Sequence, residues 1–479
     1  FDDEFKSLGQ NGLLVAAGDN VGASPPNSAL LDDMPAIDVE NLWGLDATSL
    51  GNHEFDYGVE RLLQHIDRAN FPFLATNVVE ESTGQLPPWL QPSKVFTVNG
   101  IKVGVIGAEL ESTPELVSAG ATEGLDFLPE GAAIKAESNR LKGLGVNVQV
   151  VVIHQGTATG SNAAGQTPPV AWDGPILGIA DELQDTTVDA MVVGHTHRIS
   201  NLMRGRILIT EGINAGTSYS VLQLMVRDGD VAWAGGATRV AKDVGVAQRA
   251  DVKAVVDAAN EEVKPILNQV VGPQAADILR DPTRLHESAM GNLVADAMLD
   301  KYSSEAEAAY TNSGGLRADL PCLPPAASEG ECVITLGELF GVLPFGNATV
   351  IETLTGAQMK QAFVNGFSPF CDSAINTGRF PQIAGLKAQF HCDVATKKVV
   401  LDNVWKAPKG GPLTPLADGD TVRFVTNDFM YTGGDGYTVF TQGTNVLQKG
   451  DLLLDVVAAY IANAADPVHP VVEGRIVGP

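Results

Sequence analysis

The sequence is poor in basic residues. Its 479 residues include 31 Lys and Arg against 58 Asp and Glu, which gives a formal net charge of −27 at pH 7. A chain this acidic repels DNA, RNA and anionic membrane surfaces, so the class of nucleic-acid-polymer binders is excluded. A small anionic substrate remains compatible, because a few arginines can gather in one cleft while the rest of the surface stays acidic.

Long apolar runs are missing as well. No run approaches the roughly 18 to 20 residues needed to span a bilayer, and Phe1 does not begin a signal peptide. We therefore expect no transmembrane segment. The composition is nevertheless 44% hydrophobic, which excludes a disordered or collagen-like chain. The length predicts two to four domains, with no internal repeat and no low-complexity tract.

Cysteine is scarce, and its placement is informative. The four cysteines all lie in the second half, and none has the CxxC spacing of a zinc ribbon or a redox motif. Their sequence-local pairs, Cys322 with Cys332 and Cys371 with Cys392, predict two disulfides that close short loops. Four cysteines permit three connectivities, and four buried free thiols in a cytosolic protein are the alternative. Because disulfides persist in oxidising compartments, we expect a secreted, periplasmic or cell-surface protein.

The first half alternates β-branched apolar runs with amphipathic stretches, which predicts an α/β layered domain. Loops rich in Gly, Asn, Asp and His follow several of the runs, and ligands of such domains bind at the carboxyl ends of strands. The predicted buried strands are residues 13–17, 103–106, 148–153, 190–193 and 207–210.

A segment with helical periodicity separates the two halves. It has charges on one face and a kink expected at Pro265, and it is typical of a connecting helix. We therefore predict a first domain over residues 1–245, a linker helix over 246–270, and a second domain over 271–479 that contains both cysteine pairs.

Four short loops of the first half carry ligand-type side chains. They are AGDN (17–20), GNHEFD (51–56), VVIHQG (151–156) and VVGHTH (192–197). Strand ends would deliver a carboxylate, an amide oxygen and imidazoles to one place, a donor set that suits Zn²⁺, Mn²⁺, Fe or Co rather than Ca²⁺ or a thiolate site. A single carboxylate able to bridge two ions is the usual core of a two-metal hydrolase.

These loops differ in how specifically each of them indicates a metal site. A lone His after a strand is more often a hydrogen-bonded residue than a ligand, so His154 alone would mean little. GHTH and GNHE recur in metallophosphoesterases, and the four motifs in this order strongly favour a metal site. The isolated histidines, for which we expect no role in the site, are His65, His286, His391 and His469.

With these motifs, the sequence resembles the 5′-nucleotidase family, in which a calcineurin-like metallophosphatase domain precedes a nucleotide-binding domain. The second half supplies independent motifs, TNSGGLR (311–317), LPFGN (343–347) and NDFMYTGGDGY (427–437). The resemblance covers nearly the whole chain. It implies an α/β fold with an N-terminal layered α/β-sandwich metallophosphoesterase domain, a linker helix and a C-terminal α+β nucleotide-binding domain.

The resemblance also implies two divalent metal ions, which could be Zn, Mn, Co or Fe. Asp19 resembles the carboxylate that bridges both ions. Asn52, His154 and His195 resemble ligands of the second ion, and His197 resembles the ligand that completes the first site.

His53 with Asp56 matches the catalytic dyad of the family. In such a dyad the imidazole meets the phosphoryl group in the transition state, and the carboxylate orients the imidazole.

In the second domain the resemblance implies a set of substrate-binding residues. Guanidinium groups would capture phosphate bidentately, two rings would sandwich the base, and polar side chains would contact the ribose or the base. These residues are Arg280, Arg284 and Arg317, then Phe345 and Phe429, then Asp435, Asn312 and, as a weaker candidate, Asn347. Alternatively, Phe345 and Phe429 are core aromatics, while Arg280 and Arg284, at helical spacing, form a solvated face.

The sequence departs from the family at one place. Members begin the metal site with an Asp-x-His after the first strand, upstream of the Gly-Asp loop, and no histidine precedes His53 here. Either this chain lacks the opening strand and its Asp-x-His loop, or the protein is a degenerate relative with one metal. We favour the first alternative, because a missing strand would expose a sheet edge, and because residues 1–10 are predicted as the tail of a crossover helix.

The expected function is extracellular hydrolysis of nucleoside 5′-monophosphates to nucleoside and phosphate by a metal-bound hydroxide. Hydrolysis of the pyrophosphate of UDP-sugars or dinucleotides, or of 2′,3′-cyclic nucleotides, would use the same metals and is the enzymatic alternative. A catalytically silent nucleotide-binding surface protein is the alternative of another class. The sequence does not determine the oligomeric state.

Overall fold

The computed structural model describes residues 12–117, 120–158, 171–242, 245–322, 332–372, 375, 377–408 and 411–479. The chain divides into two compact units. The first unit contains residues up to Gly22 and Leu31–Ala259, and the second contains Ala23–Leu30 and Asn260–Pro479. The short helix α1 (Pro26–Ala29) thus belongs to the second unit although it comes early in the chain. Residues 1–10, predicted as the tail of a helix, lie outside the described residues.

The first unit contains four helices and part of a fifth among the residues described. Its strands are β1 (Val15–Ala16), β2 (Ala47–Ser49), β3 (Phe73–Leu74), β4 (Val78–Glu80), β5 (Ser93–Val98), β6 (Ile101–Ala108), β7 (Leu125–Phe127), β8 (Val148–Ile153), β9 (Val188–Val193), β10 (Ser200–Arg204), β11 (Ile207–Glu211), β12 (Ser218–Arg227) and β13 (Asp230–Val240). Its helices are α2 (Met34–Trp43), α3 (Gly58–Arg68), α4 (Glu130–Gly143), α5 (Pro175–Glu182) and the first half of α6 (Ala250–Leu267).

Two sheets form the centre of the first unit. A six-stranded sheet has the order β10-β11-β9-β8-β6-β5, with parallel central strands and antiparallel edges, and a three-stranded parallel sheet has the order β1-β2-β3. The sequences of β8 and β9, VQVVVI and VDAMVV, are nearly continuous apolar runs, because both faces of a central parallel strand are covered. All five predicted strands overlap β1, β6, β8, β9 and β11.

The layers of the first unit follow from its buried side chains. Helices α4 and α5 place Ile134 and Ile179 against the six-stranded sheet. On the other face of that sheet, Val105 and Val152 pack against Leu74 of the three-stranded sheet. Helices α2 and α3 then cover the three-stranded sheet. This arrangement confirms the predicted layered α/β sandwich, and it brings the carboxyl ends of β1, β2, β8 and β9 toward the ligand-bearing loops.

The helix α6 occupies the range predicted for a linker and continues through Pro265. The division between the two units falls within α6, after Ala259.

The second unit has an α+β organisation. Its strands are β14 (Val270–Pro273), β15 (Ala308–Asn312), β16 (Val333–Thr335), β17 (Ala348–Thr355), β18 (Pro381–Ala384), β19 (Leu386–Asp393), β20 (Lys398–Lys406), β21 (Thr414–Pro415), β22 (Thr421–Asn427), β23 (Thr444–Leu452) and β24 (Ile476–Val477). Its further helices are α7 (Ala289–Lys301), α8 (Leu336–Val342), α9 (Gly356–Cys371), α10 (Asp428–Tyr431) and α11 (Leu453–Ala462).

A five-stranded sheet, in the order β18-β15-β22-β17-β23, carries the core of the second unit. One face is covered by α7 and α11, and the other packs against an aromatic cluster around Tyr310, Phe363 and Phe424. Phe367 stacks on Phe390 with ring centroids 4.1 Å apart. The same aromatic cluster thus joins α9 to the four-stranded sheet β21-β20-β19-β24.

Both predicted disulfides are confirmed. Cys322 bonds to Cys332, and Cys371 at the end of α9 bonds to Cys392 on β19. Within the described ranges, no helix combines the length and the apolarity that crossing a membrane requires.

Candidate active site

Hydrogen bonds join the loop after β1 to the loop after β2 in the first unit. Asp19 follows β1 and has a left-handed backbone, with φ of 54°. Its Oδ1 accepts a hydrogen bond from the backbone N–H of His53 at 2.9 Å. The loop containing Asn52 and His53 is a short 3₁₀ helix, Asn52–Phe55, that begins directly beyond β2. The predicted bridging carboxylate therefore lies beside the predicted catalytic loop.

His154 follows β8 and points at Asp19. Its Nδ1 lies 2.7 Å from the carbonyl oxygen of Ala17, which can only accept, so Nδ1 carries the proton of the neutral ring. Its Nε2 then presents a lone pair, and this atom lies 2.9 Å from Asp19 Oδ2. A carbonyl that fixes the tautomer in this way is typical of a metal-ligating histidine.

His195 completes a cluster with these two residues. The ligand atoms of Asp19, His154 and His195 all lie within 4.8 Å of one another. The imidazoles of His154 and His195 meet edge to face with centroids 5.1 Å apart. Such a mixed carboxylate and imidazole set is suited to Zn²⁺, Mn²⁺, Fe or Co.

Two buried hydrogen-bond acceptors in this centre are suited to bind a cation. Asn52 Oδ1 and His154 Nε2 are buried and make no hydrogen bond. A buried acceptor without a donor costs free energy, and a lone pair facing a carboxylate oxygen needs a positive charge nearby. The donor set and these unsatisfied atoms together fit a divalent metal ion held by Asp19, Asn52, His154 and His195.

The electrostatics of the cluster lead to the same conclusion. Burial lowers the pKa of His154, but the charge of Asp19 outweighs it and raises that pKa to about 10, so the place between Nε2 and Asp19 Oδ2 attracts a positive charge, which either a second proton on the ring or a metal ion can supply. Burial and the neighbouring His154 lower the pKa of His195 to about 3, so this imidazole stays neutral. Despite burial, His154 and His53 hold the pKa of Asp19 well below its usual range. The centre thus stabilises positive charge next to an ionised carboxylate.

The GHTH loop is held in a strained backbone conformation. His195 and His197 have φ of 72° and 55°, which non-glycine residues rarely adopt. Thr196 Oγ1 donates to the buried carboxylate of Glu211 at 2.9 Å, which fixes the loop between them. His197 lines the same cavity of about 850 Å³ as Asp19 and His195. Among residues 12–18, which precede Asp19, no side chain offers a ligand for a second ion.

His53 and Asp56 form the predicted pair. His53 Nδ1 lies 2.8 Å from Asp56 Oδ2, and both side chains are mostly buried. The carboxylate therefore fixes the ring orientation from the Nδ1 side.

Glu54 joins the two loops but was assigned no role from the sequence. Its Oε2 accepts from the backbone N–H groups of Gly51 at 2.6 Å and Asp19 at 2.9 Å, and its Oε1 accepts from that of Asn20 at 2.8 Å. This side chain is 1% exposed. The only sequence signal for it is its place in the GNHE motif.

In the second unit, the predicted arginines lie in loops. Arg280 and Arg284 precede α7 in a turn, so the alternative of a solvated helical face is wrong. The carboxylate of Asp281 holds this turn by accepting from the backbone N–H groups of Thr283 and Leu285. Burial and the charges of Arg317 and Arg280 lower the pKa of Arg284 to about 10, which shows that the three guanidinium groups gather in one place.

Two pairs of the predicted substrate-binding residues are also in direct contact. The guanidinium carbon of Arg317 lies 5.5 Å from the ring centroid of Phe345, a cation–π contact. Asn312 Nδ2 donates to Asp435 Oδ2 at 2.7 Å. Phe345 and Phe429 are both half-buried, and Phe429 also packs against the aromatic cluster of the second unit.

Asn347 and three of the four isolated histidines have local partners. Asn347 Nδ2 donates to Asp428 Oδ1 at 3.0 Å, one residue from Phe429. His65, His286 and His391 contact Asp32, Asp281 and Asp402 respectively, and these contacts explain them without a role in the site.

Comparisons with known proteins match both units. The family model for calcineurin-like phosphoesterase matches residues 1–198, and the model for the 5′-nucleotidase C-terminal domain matches residues 267–442. The chain is 31% identical over 472 residues to the cell wall protein Lmo0130 of Listeria monocytogenes, covering 91% of this chain and 58% of that protein. The chain therefore spans little more than half the length of this relative.

Two further relatives are similar over most of their length. A 5′-nucleotidase of Diplobatis ommata is 27% identical over 494 residues, covering 99% of this chain and 83% of that protein. The crystal structure of a 5′-nucleotidase precursor from Thermus thermophilus superposes with a TM-score of 0.82 at 26% identity, covering 100% of this chain and 92% of that one.

Proposed function

Because the chain belongs to the 5′-nucleotidase family of metal-dependent phosphoester hydrolases, we propose that it hydrolyses nucleoside 5′-monophosphates to nucleosides and phosphate. The first unit, in this proposal, supplies the metal centre and the His53–Asp56 pair. The second unit binds the nucleotide.

The observation that carries the proposal is the pair of buried, unsatisfied acceptors beside Asp19. Asn52 Oδ1 and His154 Nε2 have no hydrogen-bond donor, and Asp19 faces His154 across 2.9 Å. Divalent ions bound here would supply Lewis acidity and an activated water for in-line displacement at phosphorus.

The side chains of this chain then have separate tasks. In its doubly protonated form, His53 donates from Nδ1 to Asp56 and from Nε2 to the phosphoryl oxygens as negative charge builds up on them, and Asp56 holds the ring for that contact. The guanidinium groups of Arg280, Arg284 and Arg317 capture the phosphate, because their forks match its oxygens.

Nucleoside recognition belongs to the remaining residues of the second unit. Asp435, whose carboxylate accepts from Asn312, binds a ribose hydroxyl. Phe345 and Phe429 offer half-buried rings on which a base can stack, and stacking tolerates different bases.

We also propose that the enzyme works outside the cytoplasm. The two disulfides and the similarity to a cell wall protein support this location.

The test is a substrate panel with added Mn²⁺ or Zn²⁺, comparing AMP with UDP-glucose, NAD⁺ and 2′,3′-cyclic AMP by phosphate or product release. We expect the highest kcat/KM for AMP, and loss of turnover on chelation and in His154→Ala. The exposed His391→Ala serves as the matched control and should retain activity. Preference for a diphosphate diester or a cyclic diester would overturn the proposal, and so would nucleotide binding without turnover.

A further inference from the structure

The loop that carries Asp435 is strained and buried. Asp435 has φ of 56°, between Gly433 and Gly436 at 101° and 74°, so a residue with a side chain occupies a left-handed position in a glycine-rich turn. Its side chain is 5% exposed, and Asn312 donates to its Oδ2 at 2.7 Å. A backbone of this kind persists only where its surroundings hold it.

Two residues outside the motifs of the sequence hold this loop. Asn365, on α9, donates through Nδ2 to the backbone carbonyl of Asp435 at 3.2 Å. Arg379, in the 3₁₀ turn Thr377–Arg379, donates through a terminal guanidinium nitrogen to Asn365 Oδ1 at 3.1 Å. A relay of two hydrogen bonds thus runs from Arg379 through Asn365 to the backbone of Asp435.

The position of Arg379 carries a desolvation cost. Its Nε is buried and has no hydrogen-bond partner, so part of this guanidinium is desolvated without compensation. The same terminal nitrogen lies 3.2 Å from the position that a Cβ on Gly436 would take, so the guanidinium packs against the turn itself. The residue after the turn, Tyr437, donates through its hydroxyl to the Arg379 carbonyl at 2.5 Å.

The charge of Arg379 also acts on the Asp435 carboxylate. Burial raises the pKa of Asp435, and the hydrogen bond from Asn312 and then the charge of Arg379 lower it. A guanidinium here favours the ionised carboxylate, which is the form that accepts hydrogen bonds from hydroxyl groups.

We propose that Arg379 and Asn365 are positioning residues for nucleoside recognition, holding the loop of Asp435 so that its carboxylate is aimed at a vicinal diol such as that of ribose. This inference rests on the proposed function, because it assigns Asp435 to the sugar. Neither residue contacts the phosphate in this account. Their contribution is therefore limited to substrates that carry the sugar.

A comparison of two substrates tests this limit. AMP carries ribose, whereas p-nitrophenyl phosphate offers the same phosphoryl group without a sugar. In Arg379→Gln and Asn365→Ala we expect the KM for AMP to rise about tenfold, with kcat little changed, because each change breaks the relay of hydrogen bonds that holds the Asp435 loop. The kcat/KM for p-nitrophenyl phosphate should stay within about twofold of the wild type.

The relay of hydrogen bonds leads to two further expected results. The double variant should raise the KM for AMP no more than the larger single effect, because both changes break one chain of bonds. Arg379→Lys should recover part of the loss, since an ammonium can donate to Asn365 and keeps the charge. Lys360→Ala is the matched control on α9, because its ammonium bonds Asp418 at 2.6 Å instead of the Asp435 loop.

Each outcome has a distinct meaning. A wild-type protein that shows no preference for AMP over p-nitrophenyl phosphate contradicts the proposed function. A wild type that prefers AMP, with variants that keep its KM, overturns this inference alone. Equal losses on both substrates with a lowered melting temperature would show a structural role only, which also overturns it.

Discussion

At the scale of single residues, the metal centre depends on the backbone as much as on side chains. Asp19 both faces the metal ligands and accepts from the backbone of His53, while Glu54 accepts from three backbone N–H groups of the same two loops. Because these bonds are reciprocal, one loop cannot shift without moving the other. The ligands are therefore preorganised by the chain itself.

His53 is expected to act in catalysis without holding the metal. His53→Ala should lower kcat for AMP about 10² to 10⁴-fold, the usual contribution of a positioned acid–base group, while the metal content stays that of the wild type. Asp56→Asn should cause a smaller loss, because an amide oxygen can still accept from Nδ1. Steady-state kinetics with elemental analysis measures both. Loss of metal in His53→Ala would contradict this assignment.

Gly51 is expected to be essential for metal affinity although it offers no ligand. A Cβ at this position would lie 2.4 Å from both the N and the Oδ1 of Asp19, of which the first is backbone and the second is held by the backbone N–H of His53. Gly51→Ala should therefore weaken metal binding at least about tenfold, measured by calorimetric titration of Mn²⁺. Gly143→Ala, where a Cβ has open space, is the control. Unchanged affinity in Gly51→Ala would show that the two loops are not rigidly joined.

At the scale of elements, β17 carries a feature unrelated to the proposed chemistry. Glu352 on this strand is fully buried, and neither of its carboxyl oxygens has a hydrogen-bond partner. Burial raises its pKa from 4.5 to about 8. The native state therefore keeps a proton that the unfolded chain releases in this pH window.

The stability of the second unit should consequently fall as the pH rises. Between about pH 4.5 and pH 8 the unfolded state binds fewer protons, so the free energy of unfolding decreases by up to about 1.4 kcal/mol per pH unit, and the loss ends above the native pKa. Glu352→Gln should remove this dependence, as measured by urea denaturation across the pH range. The exposed Glu262→Gln on α6 should retain it. A Glu352→Gln variant with the wild-type pH profile would contradict the assignment.

Elements were predictable where one local pattern determines them. The apolar runs of β8 and β9 are continuous because both faces are buried, so their positions were evident from the sequence. Arg280 and Arg284 were ambiguous, since spacing of four residues also fits a helix. Only the bonds of Asp281 to the backbone show that these residues form a turn.

Contacts between distant segments could not be predicted from the sequence. Glu54 reaches Asp19 across 35 positions, and Asn365 reaches Asp435 across 70. Asn365 has no local pattern that distinguishes it from an ordinary polar residue of a helix, and Glu54 has only its place in the GNHE motif. The residues that we propose to bind ligands belong to recognisable motifs, whereas those that we propose to position them depend on the folded geometry.

At the scale of the whole molecule, the charge distribution is the main feature. The net charge of −27 contrasts with a gathering of three arginines in the second unit, close enough to lower the pKa of Arg284 to about 10. An acidic surface repels polyanions, while a local positive cluster attracts one small phosphate. This charge distribution supports the proposal of a mononucleotide rather than a nucleic acid as substrate.

The most direct test is the kcat/KM for AMP of the metal-supplemented protein, measured beside Asp19→Asn and Arg317→Ala. We predict turnover by the wild type, near-complete loss in Asp19→Asn, and an increase in KM of at least about tenfold in Arg317→Ala, because a charge-assisted phosphate contact is removed. Absence of AMP hydrolysis by the wild type with Mn²⁺ or Zn²⁺ supplied would contradict the account, and so would full activity in Asp19→Asn.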